Sequence, residues 1–208
     1  MRKIIKEYNV YGFEELEKSI QESILERYIE RESEIYCETC LYGDMVELAH
    51  DLLQQYFKGS EYVDMYYDLG YRQGSGAMIE FTIDLKDLNN KYNLLKEKEV
   101  EELENFGETE IKVYHNNNSH YCHEYTFYTD YNDFTMYDYE WEDIKDIYEV
   151  DKKIEEMIDL FKKDIIAMNK EFTRSGYRLL EDREMFEENA MLYIKDLEFL
   201  ESGEEFYE

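Results

Sequence analysis

The sequence predicts an α+β fold in which an antiparallel sheet of hairpins is packed with several amphipathic helices. Three observations predict it. Apolar residues alternate along Val63, Met65, Tyr67, Leu69 and Tyr71, and again along Ala77, Ile79, Phe81, Ile83 and Leu85, with Gly74 and Gly76 between the runs. That is the two-residue period of paired strands flanking a turn. Segments on both sides of the hairpin instead repeat apolar residues every three or four positions, the helical period. Strands in pairs separated by helices and short turns form an antiparallel sheet with helices against it. The chain has 208 residues, 43% of them hydrophobic, with no proline, no Gly/Ser linker and no internal repeat, so one domain spanning 1–208 is expected.

Taken in order, "RKIIKEYNV" reads as a short first strand. "GFEELEKSIQESILERYIER" follows as a helix, with Phe13, Leu16, Ile20, Ile24, Leu25 and Tyr28 at helical spacing. A second helix lies in "DMVELAHDLLQQYF", where Met45, Leu48, Leu52 and Tyr56 share a face and Asp44 suits the N-cap. After the hairpin, "LKDLNNKYNLLKEKEVEELENF" predicts one helix ending near Gly107. "TEIKVYH" and "YCHEYTFYT" form a further strand pair through "NNNS", because asparagine tolerates turn geometry. A long amphipathic helix runs from about Tyr139 to Phe172, and a last helix near 182–194 precedes "LEFLESGEEFYE".

Charge is the strongest departure from an ordinary globular chain. There are 52 Asp and Glu against 23 Lys and Arg, a formal net charge of -29. Such a surface repels nucleic acid and anionic membranes and attracts basic grooves. The 22 Tyr, 11 Phe and one Trp argue against an acidic disordered tail, since disorder goes with few aromatics. The acid is unevenly spread: residues 97–160 carry 20 acids and 5 bases, about half of the whole excess. Within them, residues 124–149 hold nine acidic and nine aromatic side chains with one lysine, Lys145. Along 140–159, a helix of about 30 Å carries net charge -6. This is roughly one charge per 5 Å, against one per 3.4 Å on a DNA strand. The candidate partner-binding residues are therefore Asp130, Asp133, Asp138, Glu140, Glu142, Asp143, Asp146 and Glu149. Tyr125, Phe127, Tyr131 and Phe134 fit core positions of a strand and its turn, while other tyrosines must face solvent, where an apolar body with a polar tip suits an interface.

Other chemistry is weakly represented. Cys37 and Cys40 form a lone C-x-x-C, and His115, His120, Cys122 and His123 lie far downstream at spacings unlike those of zinc sites. On a strand His120 and Cys122 point one way and His123 the other. "DYNDFT" begins like a calcium loop, but Phe134 stands where an oxygen ligand belongs and Thr135 where glycine does. The glycines of "RQGSGAM" lie between strand-like runs, not at a helix start where phosphate is cradled. Neither catalysis, metal nor cofactor is expected. Three cysteines without a secretory pattern, and no apolar run of membrane-spanning length, predict a soluble protein of a bacterial cytoplasm.

"VYGFEELEKSIQESILERY", "LGYRQGSGAMIEF", "HYCHEY" and "EFLESGEEF" occur in this order along most of the chain. In them it resembles small acidic phage and plasmid accessory proteins, some of them antitoxin-like. That resemblance implies no catalytic residues. In size and acidity the chain is also similar to anti-CRISPR and anti-restriction proteins that mimic nucleic acid. These likenesses imply an inhibitor that offers carboxylates to the basic channel of an RNA-guided nuclease of the Cas9 type, or of a restriction enzyme, without itself binding nucleic acid or membrane. The alternative is an antitoxin-like module that packs an aromatic surface on a partner protein.

Overall fold

The computed structural model of the chain describes residues 7–106, 109–116, 124–131 and 147–207. The fold is α+β with two antiparallel sheets, one of four strands. Two compact units are seen, one comprising residues 1–42 and 178–208, the other residues 43–177.

In the first unit, strand β1 (Tyr11–Gly12) pairs with β6 (Glu198–Phe199). Of the strand read from "RKIIKEYNV", residues 2–6 lie outside the described set and residues 7–10 are not in a strand; the first described strand is the two-residue β1. A 3-10 turn at Phe13–Glu15 leads into helix α1 (Lys18–Thr39), which buries Ile24, Tyr28, Ile29 and Tyr36. Helix α6 (Arg183–Ile194) packs along it, with the Tyr36 and Phe186 rings edge-to-face at 5.6 Å. Asp182 caps α6, its carboxylate accepting from Met185 N at 3.1 Å. The chain then folds back over α1 through a turn at Gly203, where φ is +84° and a Cβ would lie 2.8 Å from Ile20 Cγ2, so only glycine fits. Arg27 donates to Gly203 O at 3.3 Å, and the Arg27 and Arg31 guanidinium groups lie 5.7 and 5.8 Å from the Tyr28 ring centroid. Burial, aided by the Glu205 carboxylate, pushes the Tyr28 hydroxyl up to about 12.

The second unit holds the sheet, in order β2-β3-β4-β5. Helix α2 (Leu41–Tyr56) starts one turn before the expected cap, so Asp44 sits inside its first turn. A single turn-like residue, Cys40, at φ -110° and ψ -37°, joins it to α1, and no break is left for a cap at Asp44. Strands β2 (Glu61–Asp68) and β3 (Gly76–Asp84) form the expected hairpin, with Met65 opposite Ile79 and Tyr67 opposite Ala77. A bulge between Tyr62 and Asp64 takes Val63 out of the alternation and leaves it 56% exposed. The expected third helix is two, α3 (Leu85–Tyr92) and α4 (Glu97–Phe106). Asn93 breaks it by entering the left-handed region at φ 53°, ψ 44°, and the Asn89 carboxamide then accepts from Leu94 N and Leu95 N. Strand β4 (Glu110–His115) pairs with β3 and with β5 (Phe127–Tyr131). Helix α5 runs from Ile147 to Leu180, about two turns past its expected end at Phe172.

The core of this unit is a ring cluster: Phe57 stacks on Phe81 at 5.2 Å, and Phe161 meets the two edge-on at 5.0 and 5.9 Å. All three are at most 1% exposed. The apolar stripe of α5 also buries Val150, Ile154, Met157, Ile158, Ile165, Met168 and Phe172. At Gly176 the helix comes so close to Leu69 and Met45 that a Cβ would meet their side-chain atoms at 3.0 and 3.1 Å.

Strand β4 accompanies β3 only from Phe81 to Asp84. Beside the unaccompanied half of β3, α5 takes the place of a strand. Ala77 N donates to Thr173 Oγ1 at 2.8 Å, and Ile79 N donates to the fully buried Asn169 Oδ1 at 3.2 Å. Replacing Asn169 by Leu removes that acceptor and leaves Ile79 N buried without one. We expect a loss of about 1–3 kcal/mol, read from the midpoint of denaturant unfolding.

Candidate acidic interface

Of the eight residues singled out in the sequence, the structure describes Asp130 and Glu149, both exposed. Asp133, Asp138, Glu140, Glu142, Asp143 and Asp146 lie outside the described residues. Asp130 stands on β5 directly across from Lys112 on β4, whose ammonium reaches Glu110 at 3.2 Å. Glu149 occupies the first turn of α5, where the helix dipole favours a negative charge.

Beyond Glu149, the solvent side of α5 shows Lys152, then Glu155, Glu156 and Asp159, and turns basic with Lys163, Lys170 and Arg174. The acid band thus stops after three turns. It meets α4 at Lys153, which donates to both carboxylate oxygens of Glu99 at 2.9 Å. Glu97, Glu101 and Glu104 of α4 are exposed. Burial raises the Glu99 carboxyl, but the bonds from Lys96 N and Lys153 outweigh it and hold the group below its ordinary value. Asp151 goes the other way: burial and the neighbouring Glu155 charge push its carboxyl above the ordinary value. A carboxyl raised on folding opposes stability once ionised, so the penalty is absent in acid and complete above its folded value. Asp151→Asn should therefore raise the melting temperature by about 1–2 °C at pH 7 and leave it unchanged at pH 3. The Glu99 contribution has the opposite sign, present above the unfolded value and lost as pH falls through the folded one.

Among the described residues the most regular acidic array is on α1, which the charge of its sequence segment does not single out. Glu22, Glu26, Glu30, Glu34 and Glu38 recur every fourth residue and all are exposed. Each step advances about 6 Å along the helix axis and turns about 40°, so the five carboxylates wind along about 24 Å. That is about one charge for every two phosphates of a DNA strand. Arg183 bonds Glu26, and this hydrogen bond together with the guanidinium charge lowers the Glu26 carboxyl below its ordinary value. Among the described residues Glu22, Glu30, Glu34 and Glu38 have no ion pair. Like charges at this spacing each cost a helix a few tenths of a kcal/mol, so stability alone does not favour the row.

Exposed rings are also present. Tyr114 and Tyr128 are 40% and 45% exposed, with centroids 5.8 Å apart across β4 and β5. Tyr125 is 57% exposed beneath the Lys170 ammonium, which lies 5.3 Å from its centroid. Of the aromatics expected in the core here, Tyr125 is on the surface and Phe127 is half-buried; the side chain of Tyr131 and all of Phe134 lie outside the described set.

Cys37 and Cys40 are exposed thiols at the end of α1. His115 is buried, its ring stacked on Tyr66 at 4.5 Å and its backbone N–H donating to Glu80 Oε1 at 2.5 Å, while His120, Cys122 and His123 lie outside the described residues. Among the described residues no three His, Cys, Asp or Glu side chains converge as a metal site requires, and no helix is long and apolar enough to cross a membrane. Comparison with protein-family models, curated proteins and solved structures returns no match.

Proposed function

We propose that the protein inhibits a nucleic-acid-binding defence enzyme by offering carboxylates where that enzyme's basic channel receives phosphates. An RNA-guided nuclease of the Cas9 type is the favoured target, because its duplex channel is positively charged and must engage DNA to act. The observation that carries this reading is the α1 row: five exposed glutamates at a fixed interval, four without a counter-ion among the described residues. A partner lysine or arginine supplies the missing charge, and the row gains what it lacks in the free protein. The mechanism is competition, and no chemistry is asked of the inhibitor.

Ionic strength tests it. Four phosphate-like contacts give a salt slope of about -3.6, so affinity for a purified nuclease should fall by about 10² between about 50 and 200 mM salt. Duplex DNA or guide RNA should displace the protein. Binding that ignores both salt and nucleic acid overturns the reading.

The exposed Tyr114, Tyr125 and Tyr128 favour a second reading, an antitoxin-like module that seats its rings on a partner protein. There, alanine at these tyrosines weakens binding, and charge reversal on α1 does not.

A further inference from the structure

Helix α1 ends between two cysteines. Cys37 lies in its last turn and Cys40 is the one residue between α1 and α2, and both are exposed. In a regular helix, residues three apart hold their Cβ atoms about 5–6 Å apart, and a disulfide requires about 3.5–4.5 Å. Closing that gap inside a helix would break the backbone ladder. Here Cys40 has already left the helix, at φ -110° and ψ -37°, with its N–H bonded to Tyr36 O at 2.9 Å. The two sulfurs also differ. The Thr39 hydroxyl gives its one proton to Ile35 O at 2.7 Å, so in its contact with Cys40 Sγ at 3.4 Å the Cys40 S–H is the donor. The Cys37 sulfur has no hydrogen bond among the described residues. A cysteine attacks as its thiolate, and Cys37 has no such bond to give up. The surroundings are anionic. Glu34 and Glu38 are exposed with no ion pair among the described residues. The last turn of α1 holds no basic residue to offset the negative end of the helix.

We propose that Cys37 and Cys40 form an oxidative modification site, a dithiol that a small cationic disulfide closes into a bridge between them. Cys37 Sγ, as thiolate, attacks one sulfur of the reagent. The reagent's S–S bond breaks, and one half leaves as a thiolate that takes up a proton. Cys40 then releases its proton to solvent and attacks Cys37 Sγ, and the second half leaves in the same way. Two protein thiols are oxidised, and one small disulfide is reduced to two thiols. An excess of small thiol runs the steps backwards. The carboxylates choose the oxidant, since a reagent carrying ammonium groups is drawn to this end of α1 and one carrying carboxylates is held off. Closure takes the Cys40 S–H from Thr39 and pulls on the turn that carries Glu38. It therefore acts on the last carboxylate of the row, whatever the row binds.

The test needs neither nuclease nor nucleic acid. The full chain, reduced and freed of small thiol, is treated at low salt with cystamine, which is cationic, and with glutathione disulfide, which is anionic. Trypsin then releases residues 32–58 as one peptide that holds both cysteines and not Cys122. With cystamine this peptide should lose two hydrogens, keep no adduct and resist alkylation until it is reduced. Glutathione disulfide should act roughly tenfold more slowly, and added salt should narrow the difference. Cys40→Ser should stop at a mixed disulfide on Cys37, and Cys37→Ser should react several-fold more slowly than Cys40→Ser. Both positions are exposed, and an unchanged circular dichroism spectrum confirms the fold of each variant. A peptide that keeps adducts without a bridge, a bridge between two copies of the chain, equal rates for the two reagents at low salt, or equal rates for the two variants would each overturn the proposal. None of these outcomes touches phosphate mimicry, which stands or falls on its own salt test.

Discussion

Lysine in place of Glu22, Glu30, Glu34 and Glu38 should abolish competition with nucleic acid while leaving the fold intact. Each substitution removes an attraction to a basic channel and adds a repulsion, and four of them are expected to weaken binding by about 10²–10³ at physiological salt. The net charge of -29 falls only to -21, so a large loss would reflect the position of the charges and not their total. Reversing four exposed acids elsewhere, such as Glu97, Glu101, Glu104 and Glu156, supplies the matched control. Folding should survive because none of the four α1 residues has an ion pair to lose among the described residues. Glu26 would gain a lysine four residues away on each side, contacts worth a few tenths of a kcal/mol each. The measurement is nuclease cleavage against inhibitor concentration, with helix content followed by circular dichroism. Undiminished inhibition by the quadruple variant would exclude the α1 row as the contact.

Phe161→Ala is the substitution expected to cost the most stability, about 3–5 kcal/mol. Its ring closes the cluster with Phe57 and Phe81, and α5 places it where no water reaches. Alanine leaves a void that three rigid elements do not collapse to fill. For a chain of this length the loss corresponds to a fall in melting temperature of roughly 6–20 °C. Phe161→Leu keeps most of the volume and should cost under half as much. Equal effects from the two substitutions would mean that the ring contacts, not the filled space, carry the energy.

The hairpin was legible because its alternation is long and glycines mark its turn. The split between α3 and α4 was not, since apolar residues keep helical spacing through "NNKYNLL" and only the left-handed turn at Asn93 interrupts it. Asp44 looked like a cap because capping residues are also ordinary first-turn residues. In the candidate interface, segment totals pointed to residues 97–160 and away from α1, whose glutamates are offset in any tally by Arg27 and Arg31. Those two guanidinium groups lie against Tyr28, where Arg27 also bonds the folded-back C-terminal chain. A net charge per segment cannot record where on a helix a charge lies, whereas the four-residue interval of glutamate traces a strip that winds about 160° around α1.

Asn169 and Thr173 have a consequence for how the molecule behaves in a crowd. A strand with open N–H groups along one side recruits strands from other molecules, and natural sheets blunt such edges with charge, proline or a covering element. Here the cover is two polar side chains one helical turn apart, set on the same face of α5 as its apolar stripe. They satisfy the N–H groups of Ala77 and Ile79 where β4 does not reach, so this end of β3 offers no open donors to a strand from another molecule.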